Sequence, residues 1–257
     1  MKQIALAVGA HPDDIEFMMA GTLMLLERAG YEIHVFIVAS GSCGTMTTDR
    51  ETTARIRLAE AKNAAQVMKA HFHAPLVDDL EVLYTLPLLS RVGAVIREVQ
   101  PDIILTHSLE EYMEDHINTC RLVVSAAFAR AMPNFITDPE KTPYQKDTVL
   151  YHCLPYGLRD QFGKKIAPDF FVDISEVQEL KTQALACHES QKLWLDQSQG
   201  LDSYLIAMAD MEKTVGQMSG YFEQAEGWRF HNPLGFCAAG TNPLEKALSK
   251  NYYEPKP

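Results

Sequence analysis

The sequence predicts an α/β fold of Rossmann-like, doubly wound type: a mostly parallel sheet with helices on both faces. Two observations carry this. Short apolar runs alternate with helical patterns through the first half of the chain, a rhythm that implies parallel pairing through crossover helices. The chain is also long enough, at 257 residues, to cover a central sheet on both sides as one domain, 1–257. Residues 4–10, IALAVGA, read as a buried strand, and DDIEFMMAGTLMLLERAG follows as one amphipathic helix stopped by Gly30. The next strand is EIHVFIVAS, residues 32–40. After the Gly- and Thr-rich loop GSCGTMTTD comes a long Ala-rich helix over 50–69. Strand HAPLV, helix LLSRVGAVIREVQ, strand DIILTH and helix INTCRLVVSAAFARAM continue the alternation. In the second half TVLYHCLPYG and DFFVDIS read as strands, while 175–195 and 203–218 read as helices. The tail from 241 to 257 is expected to be loosely held.

Composition narrows the function. A formal net charge of −11 disfavours nucleic acid and anionic membrane as partners, since both require a basic footprint. A neutral or cationic small molecule fits better. No apolar run reaches the ~20 residues of a membrane span, and the amino-terminal apolar stretch is too short for a signal peptide. Five scattered cysteines without a C-x-x-C pair suggest reduced thiols, and a cytoplasmic location is expected. A homo-oligomer is compatible with the sequence, which carries no sign of the assembly state.

Ligands of doubly wound sheets bind beyond the carboxyl ends of the strands. AHPDD and THSLEEYMEDH both fall there, each after a strand and before a helix. Adjacent carboxylates at the end of an apolar run need a compensating cation or solvent. His11 offers an imidazole, Asp13 or Asp14 a carboxylate, and His116 reaches the same crevice if strands one and four flank the switch point. Two nitrogens and one oxygen suit catalytic zinc better than magnesium or calcium. The remaining aspartate is then free to act as a base.

AHPDDIE followed by THSLEEYMEDH resembles the LmbE/PIG-L family of zinc-dependent N-acetylglucosaminyl deacetylases, and the likeness extends through RIRLAEAKNAA and CHESQ. The resemblance implies a metal-dependent amidohydrolase with one zinc per chain on His11, Asp14 and His116, and with Asp13 as general base. It implies a small-molecule substrate of amino-sugar type. It places Arg57 near the substrate, with Glu60 behind it, and it matches His188. Met113 stands where many family members carry a histidine thought to stabilise the oxyanion, and methionine cannot donate a hydrogen bond. Either His107 or His231 replaces that donor, or the metal alone polarises the carbonyl, or the catalytic rate is reduced. Asp115 is expected either to cap its helix or to hold the His116 ring. Glu110, Glu111 and Glu114 are expected to form an acidic rim. Competing readings are a catalytically silent metal- or sugar-binding member, an amidase for a non-sugar acyl amine, and a dinucleotide-binding protein. The last is disfavoured because GAHPDD replaces the glycine-rich fingerprint.

Overall fold

The computed structural model describes residues 2–198 and 204–255. Strands β1 (Ile4–Gly9), β2 (Glu32–Ile37), β3 (His71–His73), β4 (Ile103–Thr106), β5 (Val149–Cys153), β6 (Phe170–Asp173), β7 (Ala225–Phe230) and β8 (Tyr252–Tyr253) form one sheet in the order β3-β2-β1-β4-β5-β7-β6-β8. The first five in that order run parallel, while β7 runs antiparallel to both β5 and β6, and β8 antiparallel to β6. The order reverses between β1 and β4, so the crevice above their carboxyl ends is the switch point.

Alternation along β1 explains the two layers of core. Ala5 and Ala7 join one cluster with Leu23, Leu26 and Trp228, whereas Leu6 and Val8 join a second with Val92, Ile96 and Val123. A strand buried on both faces cannot afford polar positions, which is why IALAVG is apolar throughout. The helices are α1 (Asp14–Met18), α2 (Ala20–Arg28), α3 (Arg50–Val67), α4 (Leu86–Val99), α5 (Glu114–Phe128), α6 (Gln178–Ala186), α7 (Glu189–Ser198), α8 (Tyr204–Ser219) and α9 (Pro243–Ala247). Among the described residues no helix is long and apolar enough to cross a membrane. All five cysteines are free thiols.

Several expectations need correction. The single helix expected over 13–30 is broken at Met19, whose φ of −135° and ψ of −17° lie outside the helical region. Glu226 marks the reason. Its carboxylate accepts from the backbone N–H groups of Gly21 and Thr22, each at 2.8 Å, and so caps a fresh helix start. The third strand lies earlier than HAPLV, at His71–His73, with Val77 making only an isolated bridge to Ala39. Helix 175–195 divides at Cys187 and His188 into α6 and α7. Ser203, assigned to the last long helix, lies outside the described residues, as do residues 1, 256 and 257 of the 1–257 span. The tail is not loose within its described part. Leu244 and Leu248 are buried, Asn242 caps α9, and β8 adds to the sheet edge.

Candidate active site

β1 ends at Gly9 and the chain turns at once into α1. The turn requires Asp13 to adopt φ 106° and ψ −24°, a left-handed conformation that costs a non-glycine residue roughly 1–3 kcal/mol. Arg57 on α3 holds it there. The buried guanidinium donates to the Pro12 carbonyl at 2.5 Å and to the Gly41 carbonyl at 3.1 Å, and lies 3.5 Å from Asp13 Oδ2. The consequence is that two adjacent carboxylates face different partners.

Asp14 turns to the histidines. Its Oδ2 accepts from the His11 backbone N–H at 2.7 Å and lies 3.6 Å from His11 Nδ1, while Oδ1 lies 3.3 Å from His116 Nε2. These three residues present donors close enough to share one ion. Bonds of ~2.0–2.2 Å to a tetrahedral zinc would set donors roughly 3.3–3.6 Å apart, the range of the two carboxylate–imidazole separations here. The far side of each ring is also engaged: Asp115 Oδ2 lies 3.0 Å from His11 Nε2, and Glu111 Oε1 lies 3.3 Å from His116 Nδ1. Carboxylates behind ligating imidazoles fix the tautomer and aim the opposite nitrogen inward.

The electrostatics agree. Burial disfavours the His11 imidazolium, yet Asp115 and Asp14 outweigh it and raise His11 to about 9. Burial likewise opposes His116, but Asp14 and Glu111 lift it to about 10. Burial would raise Asp14, but His116, His107 and His11 bring it well below the usual carboxylate range. The cluster is thus built around positive charge. Asp13 differs: burial pushes its carboxyl up, with Arg57 pulling against it and Asp14 reinforcing it. Its Oδ2 accepts a 2.5 Å hydrogen bond from the buried hydroxyl of Tyr204 at the start of α8.

A cavity of about 320 Å³ opens over this cluster. Phe17, Met18, Leu80, Tyr112, Tyr156, Leu195 and Tyr204 give it apolar and aromatic walls, and Met113 also lines it. Five carboxylates face it (Asp13, Asp14, Asp79, Glu111 and Asp115) against one guanidinium, Arg57.

The structure therefore brings His11, Asp13, Asp14, Arg57, His107, Asp115 and His116 to one cavity. It does not bring His231 there. That ring lies 2.9 Å from His152 Nε2, and His152 in turn contacts the His107 carbonyl through Nδ1 at 2.8 Å, so His231 stands behind the site. His107 faces the cavity, but its Nε2 is already engaged, 2.9 Å from the Ala10 N–H and 3.2 Å from Asp14 Oδ2, so it is not a free oxyanion donor. Asp115 neither caps α5 nor touches the His116 ring; it serves His11 and accepts from the Leu80 N–H at 2.8 Å. Glu111, expected on an acidic rim, is buried and stands behind His116. Arg57 is buried and donates from Nη1 to the Gly41 carbonyl and from Nη2 to the Pro12 carbonyl beside Asp13, which fits a positioning task. Glu60 accepts from the N–H and hydroxyl of Ser190, tying α3 to α7, and His188 is fully buried 3.4 Å from Glu16.

Comparison with known proteins identifies relatives of the chain. The family described as PIG-L, GlcNAc-PI de-N-acetylase, matches residues 6–127. A diacetylchitobiose deacetylase of Thermococcus kodakarensis is 30% identical over 240 residues, 88% of this chain and 82% of that protein. A 4-oxalmesaconate hydratase of Pseudomonas putida is 27% identical over 199 residues, 74% of this chain and 75% of that protein. The crystal structure of N,N'-diacetylchitobiose deacetylase from Pyrococcus horikoshii, complexed with an inhibitor, superposes with a TM-score of 0.75 at 22% identity, covering 94% of this chain and 88% of that one. From the length and identity of the first of these matches, together with the family match over both strand-end motifs, the chain belongs to the PIG-L family.

Proposed function

We propose that this protein is a hydrolase that removes an N-acetyl group from an amino sugar or amino-sugar conjugate, with one zinc ion per chain on His11, Asp14 and His116 and with Asp13 as general base. The observation that carries the reading is the division between adjacent carboxylates. Asp14 sits among imidazoles, while the left-handed turn sends Asp13 to Tyr204 and Arg57. Zinc bound there would supply Lewis acidity, lowering the pKa of a water toward ~7 and polarising the acetyl carbonyl. The mixed nitrogen and oxygen donors suit it better than magnesium or calcium.

The chain's own groups have distinct tasks in this reading. The Asp13 carboxylate accepts the proton of the attacking water and returns it to the amine nitrogen as the amide C–N bond breaks, leaving acetate and a free amine. Tyr204 and Arg57 hold that carboxylate in place. Asp115 and Glu111 keep His11 and His116 in the tautomers that aim lone pairs at the ion. The walls formed by Phe17, Tyr112, Tyr156 and Tyr204 limit water and offer aromatic faces to a sugar ring.

Charge argues for a neutral amide over an anionic oxo acid of the kind named for the Pseudomonas relative. Five carboxylates line the cavity against one guanidinium and the two imidazoles of His11 and His116, which leaves an excess of negative charge facing a substrate. The test is acetate release from N,N'-diacetylchitobiose and N-acetylglucosamine by protein stripped with a chelator and then reloaded with zinc. Release that vanishes on stripping and returns with zinc is the expected result. Addition of water to an oxo-dienoate with no acetate formed from either sugar would overturn it in favour of hydratase chemistry.

A further inference from the structure

The opposite edge of the sheet holds a second cluster that deacetylation does not use. Glu32 and His34 are two apart on β2, His71 and His73 two apart on β3, and each pair shares a face of its strand. The parallel register sets His34 beside His71. Leu6 of β1 lies level with His34, so this cluster is five residues back from His11, roughly 16 Å at ~3.3 Å per residue. It is a separate place.

The donors converge. Glu32 Oε1 lies 3.2 Å from His34 Nε2 and 3.4 Å from His71 Nε2, and the three ligand atoms all lie within 4.8 Å of one another. Bonds of ~2.0–2.2 Å to a tetrahedral ion set donors roughly 3.3–3.6 Å apart, and the two separations from Glu32 Oε1 match that spacing. His73 completes the arrangement from behind: its Nε2 lies 2.9 Å from His34 Nδ1. If His34 donates from Nδ1 to His73, the lone pair on its Nε2 faces the Glu32 carboxylate, an acceptor opposite an acceptor that a cation would resolve. Ions can reach the place, because the side chains of His71 and Glu32 are 64% and 37% exposed while that of His34 is 13% exposed.

We propose that Glu32, His34 and His71 form a second divalent-metal site, oriented by His73 and suited to zinc, copper or nickel rather than magnesium or calcium. Two imidazoles and one carboxylate set that preference. The site would add a metal tie between the three-residue edge strand β3 and β2, beside the backbone pairing and the His34–His73 contact that already join them. It is independent of the catalytic ion.

The experiment is metal analysis of the full chain, stripped with a chelator, dialysed against zinc and washed, alongside the visible absorption of the cobalt-loaded protein. Wild type is expected to hold two zinc ions per chain. His71→Ala and the milder His71→Gln are each expected to hold one, with acetate release within about twofold of wild type. His116→Ala, which removes a catalytic donor, should retain the edge ion, and His71→Ala with His116→Ala should lose both. Cobalt absorption remaining in His116→Ala should disappear when His71 is also replaced. No ion retained in His116→Ala, or stoichiometry and cobalt spectrum unaltered in both His71 variants, would overturn the proposal and leave a network joined by protons alone; one zinc in wild type that persists in His116→Ala and is lost in His71→Ala would support it and count against the catalytic ion instead. Because the His116→Ala background reads the edge site without catalysis, its failure is distinct from failure of the deacetylase reading.

Discussion

Replacing Asp115 separates the work of positioning an imidazole from that of binding the ion. The carboxylate is buried, with Oδ2 3.0 Å from His11 Nε2 and 2.8 Å from the Leu80 N–H. Asp115→Asn can keep both contacts through its amide oxygen but removes the charge. A hydrogen bond to a charged group contributes ~1.5–3 kcal/mol and a neutral one ~0.5–1.5, so the difference of roughly 1–1.5 kcal/mol corresponds to about 5–10-fold in zinc affinity. Asp115→Ala removes both contacts. It frees the His11 ring to turn and leaves the Leu80 N–H unpaired, so affinity and turnover should fall about 10–100-fold. Competition with a chromophoric chelator measures the affinity, and acetate release at saturating zinc measures the turnover. An alanine variant that binds zinc as tightly as wild type and turns over at the same rate would refute the assignment of Asp115 as the group that aims His11.

Tyr204→Phe deletes the hydroxyl that donates to Asp13 and lowers its pKa, so the carboxyl pKa must rise. The acidic limb of kcat/KM should therefore move to higher pH, and an unmoved limb would sink the idea. Because His11 and His116 are raised to about 9 and about 10, both are cationic at pH 7 before an ion binds, and zinc uptake should release about two protons. Calorimetry in buffers of different ionisation enthalpy counts them, and a count near zero contradicts the charge pattern. The same raised values favour the folded, metal-stripped chain fully below the unfolded histidine pKa of ~6.5, a contribution lost as pH rises through 9 to 10, so its urea midpoint should fall across that window. Lys181 is buried between Glu226 at 2.7 Å and Glu212 at 2.9 Å, so Lys181→Met strands two carboxylates and should cost about 3–5 kcal/mol in urea unfolding. A loss below ~1 kcal/mol would mean that water reaches the pair.

The parallel half of the fold was legible because its signals are local. Apolar runs such as IALAVG and punctuation such as Gly30 declare themselves within a few residues, and the position of AHPDD and THSLEEYMEDH at strand ends follows from them. What was not legible depends on distant contacts. The break at Met19 answers to Glu226, 205 residues from Gly21. Tyr204 meets Asp13 across 191 residues and Asp115 meets His11 across 104, and no spacing rule reaches so far. β7, AEGWRF, mixes Glu226 and Arg229 with apolar residues because its glutamate serves the buried Lys181, which erases the period of a strand. Glu111 looked like one of several surface acids, and only its burial against His116 distinguishes it from exposed Glu110 and Glu114. Residue type alone points to His107 and His231 and says nothing of which nitrogen is already occupied.

The most direct test of the central claim is Asp13→Asn, measured for zinc content and for acetate release in the same preparation. The ion should remain, since His11, Asp14 and His116 are untouched, while kcat falls by about 10²–10⁴-fold, the usual contribution of a positioned base. Full turnover in Asp13→Asn, or loss of the catalytic zinc together with activity, would contradict the separation of base from ligand on which this account of HPDD rests.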